Sequence, residues 1–158
     1  MAAVPVPELL LRPMHATDVP EVNRLEQACY AFPWTEGIFH DCVRVGYLCC
    51  VAELGPVLAG YGVITAAAGE AHLLNVCVRE EFRCRGVGRR LMRWLFVAAY
   101  EHGARTVFLE ARPSNTTALR LYQSLGFRQI GMRRGYYQAV GGREDALVFT
   151  RPLHADGS

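Results

Sequence analysis

The first third of the chain carries apolar residues at strand spacing and then at helical spacing. Residues 8–12 form a short apolar run that predicts a first strand. Thr17 suits the N-cap of a helix, because its hydroxyl can accept a hydrogen bond from a free amide of the first turn. The segment Phe32-Pro33-Trp34 interrupts the helical spacing, and Thr35 can cap a second helix. This part of the sequence therefore predicts one strand followed by two helices.

Strand-like runs fill the middle of the chain. Tyr47–Leu54 predicts a strand, Gly55-Pro56 a turn, and Val57–Ala67 the partner of that strand. The Gly69-Glu70 pair then turns the chain into a further strand, Ala71–Val78. The middle of the sequence therefore predicts three strands joined by short turns.

Helical spacing returns at Val87 and alternates with strands to the end of the chain. The amphipathic stretch Val87–His102 predicts a long helix, and Thr106–Ala111 predicts a short strand. Either Ser114 or Asn115 can cap the next helix, which ends at Gly126.

The last part of the chain predicts two strands and completes the pattern. These strands lie near Phe127–Tyr137 and Asp145–Leu153, on either side of a loop at residues 141–144. The whole order indicates an α/β (α+β) sandwich, with helices on both faces of one mixed sheet. We expect a single domain over residues 1–158, with its core at about 9–153.

Composition fits a globular protein that needs no cross-links. Apolar residues make up 51% and charged residues 20% of the 158 residues, which excludes global disorder. The net charge of +2 gives no reason to expect nucleic-acid binding. We also expect no membrane association, because no apolar run approaches the length of a membrane span. The Leu9-Leu10-Leu11 run is too short for a signal peptide.

The cysteines and histidines show no spacing typical of a metal site. No C-x-x-C pair or zinc-ligand cluster occurs, so we expect no metal, reduced thiols and a cytoplasmic protein. We interpret the histidines as surface or cap residues without a catalytic pattern. The cysteines are Cys29, Cys42, Cys49, Cys50, Cys77 and Cys84, and the histidines are His15, His40, His72, His102 and His154.

The segment Arg83–Gly88 has the properties of a phosphate-binding loop. It lies between a predicted strand and a long helix, where backbone N–H groups and the helix dipole attract anions. Its glycines allow close backbone approach, and arginines at 83, 85, 89 and 90 add positive charge. It matches neither a Walker A loop nor a dinucleotide fingerprint. The alternatives are a simple glycine-containing turn and, for Cys84, a reactive thiol in place of an inert loop residue.

The motifs of the second half resemble those of a known superfamily. The pattern R-x-x-G-x-G after Asn75–Val78 resembles the acetyl-CoA loop of GNAT-superfamily N-acetyltransferases. The segments Leu109–Asn115 and Ala118–Phe127 resemble the next strand, helix start and A-x-x-L-Y-x-x-x-G-F block of that superfamily. Within it, the RimI-type ribosomal-protein alanine N-acetyltransferases are similar to this chain at residues 32–34, 109–112, 133–137 and 142–146, so the resemblance runs from about Leu10 to Leu153.

The resemblance implies acetyl-CoA as co-substrate, bound in a cleft where the sheet splays between the strands ending at Val78 and Ala111. Cys84 departs from the glutamine that is commoner in relatives, with little expected effect because contacts there are mainly to backbone. The implied cofactor contacts are Val76, Cys77, Val78, Cys84, Arg85, Gly86, Val87, Gly88, Arg89 and Asn115.

The resemblance also implies a catalytic pair, Glu110 and Tyr122. Only a free amine attacks a thioester, and an α-amine loses its proton more easily than a lysine by roughly 2.5 pKa units, or about 3.4 kcal/mol. Glu110 acting through water can serve as the base, and the Tyr122 phenol can protonate the departing thiolate. A backbone N–H near Cys77-Val78 can stabilise the oxyanion.

The acceptor implied by the resemblance is a protein N-terminus, the alanine of a small-subunit ribosomal protein, acetylated directly in a ternary complex. It would enter between residues 32–34 and Tyr136-Tyr137. Glu144 or Asp145 can hold its ammonium group, or can form a salt bridge with Arg143. Two alternatives stay open: acetylation of lysine side chains or a small amine, and a non-catalytic acyl-CoA-binding module. The sequence does not indicate an oligomeric state.

Overall fold

The computed structural model describes residues 8–158, in which seven strands form one sheet in the order β1-β2-β3-β4-β5-β7-β6. The predicted succession of strands and helices is confirmed along this part of the chain. The strands are β1 (Leu9–Pro13), β2 (Leu48–Leu54), β3 (Val57–Ala67), β4 (Glu70–Val78), β5 (Thr106–Ala111), β6 (Arg128–Ala139) and β7 (Gly142–Pro152). The helices are α1 (Val19–Cys29), α2 (Glu36–Arg44), α3 (Val87–Glu101) and α4 (Thr116–Ser124), with 3-10 turns at Ala16–Asp18 and Glu80–Phe82. Residues 1–7, which the domain and signal-peptide predictions include, lie outside the described residues.

The sheet splays between β4 and β5, its parallel pair. Their register runs from Glu70 opposite Thr106 to His72 opposite Phe108 and stops there. The rest of both strands diverges, whereas the neighbouring antiparallel pairs continue to the strand ends. The predicted fold class, a mostly antiparallel mixed sheet with a splayed cleft, is therefore confirmed.

Helices cover both faces of the sheet and place their ends at the cleft. Helices α1 and α2 pack on one face, around a core that includes Phe39 and Tyr61. Helix α3 packs on the other face with Leu91 and Leu95, and it lies very close to β3. A Cβ at Gly60 would come within 2.5 Å of the Cys77 carbonyl oxygen and 3.0 Å of Leu91. This glycine therefore lets β3, β4 and α3 meet closely where β4 ends.

Two predicted caps are confirmed by the structure. Thr35 accepts a hydrogen bond from the Ile38 amide at 3.3 Å. Asn115, rather than Ser114, caps α4, because its Oδ1 accepts from the Ala118 amide at 3.2 Å.

Two predicted boundaries are wrong. Thr17 lies inside a 3-10 turn, and α1 begins after Asp18, whose carboxylate instead binds Arg12 and the His15 amide. The predicted loop 141–144 is mostly strand, because Gly141 adopts φ +79° in a tight turn and β7 begins at Gly142.

Candidate functional site

The end of β4 presents alternate backbone groups to the cleft. The Arg79 amide donates to the Ala59 carbonyl at 2.8 Å, and the register places Cys77 opposite Tyr61. Because hydrogen-bonding direction alternates along a strand, Cys77 pairs with β3 whereas Val76 and Val78 face the cleft. Of the three residues expected to contact a cofactor through the main chain, the register therefore favours Val76 and Val78, because the backbone of Cys77 faces β3 and its side chain is buried.

The cleft-facing carbonyl groups of β4 already have partners. The Tyr30 hydroxyl donates to the Val76 carbonyl at 2.7 Å, and Arg83 Nε donates to the Val78 carbonyl at 3.1 Å. The N–H groups of the same two residues remain directed into the cleft as donors. Val78 is therefore better placed than Cys77 to stabilise negative charge there.

The loop before α3 is shaped to hold an anion. Cys84 and Gly86 have positive φ angles of 63° and 79°, and α3 begins immediately afterwards at Val87. Alternating left- and right-handed residues turn successive N–H groups toward one side, and the helix N-terminus adds to the positive potential. A Cβ at Gly86 would meet no atom of the described residues within 4 Å, so the space beside the loop is open.

Helices α3 and α4 meet beside this loop. A Cβ at Gly88 would lie 3.1 Å from Leu121, and Arg89 donates to the Ser124 hydroxyl at 2.8 Å. Asn115 begins α4, and since its Oδ1 caps the helix, its Nδ2 is the atom available to a ligand. The predicted cofactor contacts of the loop and of α4 thus lie on neighbouring helix starts.

Tyr122 lies on the inner face of α4. It is buried, and its ring packs edge-on against Phe127 at 5.7 Å between centroids. Burial raises its pKa above the usual value, and the nearby Tyr137 hydroxyl adds to the shift. The phenol therefore keeps its proton at neutral pH, which is the form needed in a general acid.

Glu110 points to the α1 side of the sheet near the point where β4 and β5 separate. Its side chain is 9% exposed, and its carboxylate contacts the His72 ring and lies 3.7 Å from Arg133 Nε. Next to it is an open cavity of about 380 Å³ that Phe108 also lines.

Tyr137 connects the two predicted catalytic residues. Burial raises the pKa of Tyr137 to about 12, and the charge of Glu110 adds to the shift. Tyr137 in turn raises the pKa of Tyr122. Tyr137 therefore lies within electrostatic range of both the Glu110 carboxylate and the Tyr122 phenol.

The loop between α1 and α2 is fixed by a buried carboxylate that the sequence reading missed. Glu26 is 2% exposed and accepts hydrogen bonds from the Tyr61 hydroxyl, from Asn75 Nδ2 at 3.0 Å and from the Trp34 amide at 2.9 Å. The Trp34 carbonyl accepts from Asn23 at 3.0 Å and Gln27 at 3.2 Å. A signal was present, because Glu26 occupies an inward position of α1, four residues after Val22.

The opposite wall comes from β6, β7 and the start of α4. The Arg112 guanidinium lies 4.3 Å from the Tyr137 ring and 5.8 Å from the Phe32 ring, and it pairs with Glu144 at 3.2 Å. Glu144 also accepts from the Ser114 amide and hydroxyl, and these bonds, with that of Arg112, lower its pKa.

The predicted salt bridge from Arg143 to Glu144 or Asp145 is wrong. Asp145 accepts from the Gly135 amide at 2.8 Å. Arg143 instead donates to the carbonyl groups of Gly135 and Tyr136. Asp145 thus holds the irregular part of β6 at Gly135, and Glu144 holds the residues just before α4.

His72 is partly exposed, as its interpretation as a surface residue predicts, but its ring also contacts Glu110. The parallel register places His72 opposite Phe108 and on the same face as Glu110, a relation that the sequence alone does not give. The interpretation of His102 as a cap residue is confirmed, since its Nδ1 lies 2.8 Å from the Ala98 carbonyl at the end of α3.

Two further properties concern residues 8–158 as a whole. In this part of the chain no group of three or more His, Cys, Asp or Glu side chains is arranged to hold a metal ion. None of the helices there is long and apolar enough to span a membrane.

Comparisons with known proteins point to one family. The model of the acetyltransferase (GNAT) family matches residues 19–127. The chain is 34% identical over 140 residues to the [ribosomal protein bS18]-alanine N-acetyltransferase of Escherichia coli K12, covering 89% of this chain and 95% of that protein.

Solved structures show the same fold. The crystal structure of an Escherichia coli ribosomal-protein-alanine N-acetyltransferase superposes with a TM-score of 0.84 at 33% identity, covering 92% of this chain and 94% of the other. NAA60 of Arabidopsis thaliana in complex with acetyl-CoA superposes with a TM-score of 0.82, covering 92% and 98% of the two chains. At 18% identity, the second likeness concerns the fold alone.

Proposed function

Because this chain belongs to the GNAT family of acetyltransferases, we propose that it transfers the acetyl group of acetyl-CoA to the N-terminal α-amine of a protein. The proposed acceptor is the N-terminal alanine of a small-subunit ribosomal protein, in the cytoplasm. The observation that supports the proposal is the separation of β4 from β5 beyond His72 and Phe108, with Glu110 on one of the diverging strands and the cleft-facing amides of Val76 and Val78 on the other.

The loop and the splayed strand are suited to the two ends of acetyl-CoA. The pyrophosphate would lie against the amides of residues 84–89, where Gly86 leaves open space and Arg85 adds charge. The pantetheine would pair with the cleft-facing N–H groups of Val76 and Val78, and Asn115 Nδ2 would contact it from α4. The amide groups of pantetheine would thus pair with the open edge of β4, as an added peptide strand pairs with the edge of a sheet.

We assign the two proton transfers of the reaction to the two side chains of the pair. Glu110, acting through a water molecule, accepts the proton of the incoming amine, and the amine then attacks the thioester carbon. The Val78 amide donates to the carbonyl oxygen as negative charge develops on it. As the carbon–sulfur bond breaks, the Tyr122 hydroxyl gives its proton to the thiolate and regains one from the acetylated nitrogen, so that the amide forms and the phenol is restored. The acetyl group thus passes directly to nitrogen without an acyl-enzyme.

The acceptor would approach from the α1 side, between the loop that Glu26 fixes and the aromatic wall at Tyr137. The relatives reported above are named for an N-terminal alanine acceptor. An α-amine also loses its proton more easily than a lysine, by about 3.4 kcal/mol, before any contact is counted. These arguments favour a protein N-terminus over an internal lysine.

A mixed-peptide assay tests the proposal. The wild-type protein is incubated with acetyl-CoA, a peptide that begins with a free alanine, and a peptide with a blocked N-terminus and one internal lysine. We expect release of CoA thiol, with the acetyl group located by mass spectrometry on the alanine nitrogen. Glu110→Gln serves as the control for enzyme-dependent transfer. Acetylation mainly on lysine would contradict the acceptor, and absence of thiol release with any amine would contradict the enzymatic function.

A further inference from the structure

His72 connects the buried carboxylate of Glu110 to solvent. The His72 ring contacts Glu110 Oε2 through Nε2, at the last paired position of β4 and β5. The two side chains differ greatly in exposure, at 40% for His72 and 9% for Glu110. Both line the open cavity of about 380 Å³, whose lining does not include Tyr137. His72 therefore lies between the carboxylate and bulk water.

The proposed reaction delivers a proton to Glu110 in every turnover, and that proton must leave before the next one. The other groups that face Glu110 are poor acceptors for it. Arg133, from β6, lies 3.7 Å from the carboxylate and is permanently protonated. Tyr137, also from β6, already carries its hydroxyl proton because burial raises its pKa to about 12.

Two further polar residues line the cavity without contacting Glu110. The cavity is also lined by Glu70 from the start of β4 and Thr65 from β3. Glu110 makes its contacts in the described residues with His72 and Arg133, not with these two. The His72 ring, which is partly exposed, has two nitrogens, of which one can accept a proton while the other releases one.

We propose that His72 is a positioning residue that orients Glu110 and takes the reaction proton from it to solvent. This inference rests on the proposed function. The proton moves from Glu110 Oε2 to His72 Nε2, and the proton on Nδ1 leaves to cavity water. The partly exposed ring then exchanges protons with water, so that Nε2 is again unprotonated before the next turnover. No other bond forms or breaks, and Arg133 fixes the second carboxylate oxygen during the exchange.

The test compares His72→Gln and His72→Ala with wild type in the alanine-peptide assay. Loss of the relay should lower kcat roughly tenfold, less than the 10²–10⁴ typical of a general base itself, because water can partly replace the ring. The KM for acetyl-CoA should not change. Added imidazole should restore much of the turnover of His72→Ala, which a purely structural defect would not allow. The matched control is His40→Gln, which removes a histidine from an exposed pair with Glu36 on α2.

A spectroscopic measurement keeps this inference separate from the proposed function. The ring 15N chemical shifts of His72 should change in Glu110→Gln, since the carboxylate partner is lost. Unchanged shifts would overturn the proposal even if the protein acetylates peptides well. Wild-type turnover in His72→Gln, or no response of His72→Ala to imidazole, would also overturn it. If wild type itself releases no thiol, the proposed function fails, and so does a relay for that reaction.

Discussion

Replacing Gly86 with leucine should weaken acetyl-CoA binding by more than its effect on folding can explain. Gly86 has φ +79° and forms the N-cap of α3. A Cβ there meets nothing within 4 Å among the described residues, so a larger side chain extends into open space beside the loop amides. In the proposed complex that space holds the pyrophosphate, and leucine would keep it from the amides.

Two magnitudes follow from this geometry. The left-handed conformation costs a non-glycine residue about 1–2 kcal/mol, so the free energy of unfolding should fall by that amount. For a chain of this size the melting temperature should fall by roughly 2–8 °C. The dissociation constant of acetyl-CoA should rise at least tenfold, which is about 1.4 kcal/mol of binding free energy.

The other end of the same helix supplies a matched control. Gly103 follows α3 with φ +92°, and a Cβ there also meets nothing within 4 Å among the described residues. Gly103→Leu should therefore lower the melting temperature by a similar amount and leave the dissociation constant unchanged. Calorimetric titration with acetyl-CoA and thermal denaturation of both variants give the two quantities. Equal affinity of folded Gly86→Leu and wild type would refute the assignment of this loop to the pyrophosphate.

The remaining predictions concern the acid and the buried thiols. Tyr122→Phe should lower kcat by roughly 10²–10⁴ with little change in the KM for acetyl-CoA, because in the proposed mechanism the hydroxyl gives its proton to the departing thiolate. A variant that keeps more than half of wild-type turnover at saturation would show that the proton comes from elsewhere. Burial raises the pKa of Cys49 and Cys50 to about 12, whereas an unfolded thiol titrates near about 8.5. Because the pKa of each thiol is higher in the folded protein than in the unfolded chain, the contribution of the two thiols to stability is complete below about pH 8.5. This contribution is lost as the pH rises toward 12. Urea denaturation across this range should show a falling free energy of unfolding, with a shallower fall when both cysteines are replaced by alanine; equal slopes would count against the buried-thiol explanation.

The order of elements could be predicted well because apolar residues recur with different spacings in helices and in strands. The caps Thr35 and Asn115 could be predicted for the same local reason, since a side chain and an amide three residues away suffice. The prediction that Thr17 caps α1 was wrong because the neighbouring Asp18 binds Arg12 on β1, and the local sequence does not show this tertiary contact. The prediction of a loop at residues 141–144 was wrong because a tight turn and a longer glycine-rich loop have the same local composition.

The details of the site depended on register, which a sequence shows least. Whether Cys77 or Val78 turns its amide to the cleft depends on pairing with β3. The contact of His72 with Glu110 depends on three parallel residue pairs between strands that lie far apart in the chain. The splay itself was predicted through the family resemblance, because no local pattern indicates where two buried strands separate.

The short pairing of β4 with β5 also divides the sheet into two parts. Only three residue pairs join them, and we call this narrow junction, together with the gap beyond it, the seam. Strands β1 to β4 form one unit and β5 to β7 the other, joined by residues 70–72 and 106–108. The contacts of Gly88 with Leu121 and of Arg89 with Ser124 fasten the same seam from the helix side. A molecule lying in the open part of the seam bridges both units and restricts their relative twisting. Binding of the first molecule therefore includes the loss of conformational entropy that comes with this restriction. A second ligand binds a cleft that is already ordered and loses less entropy.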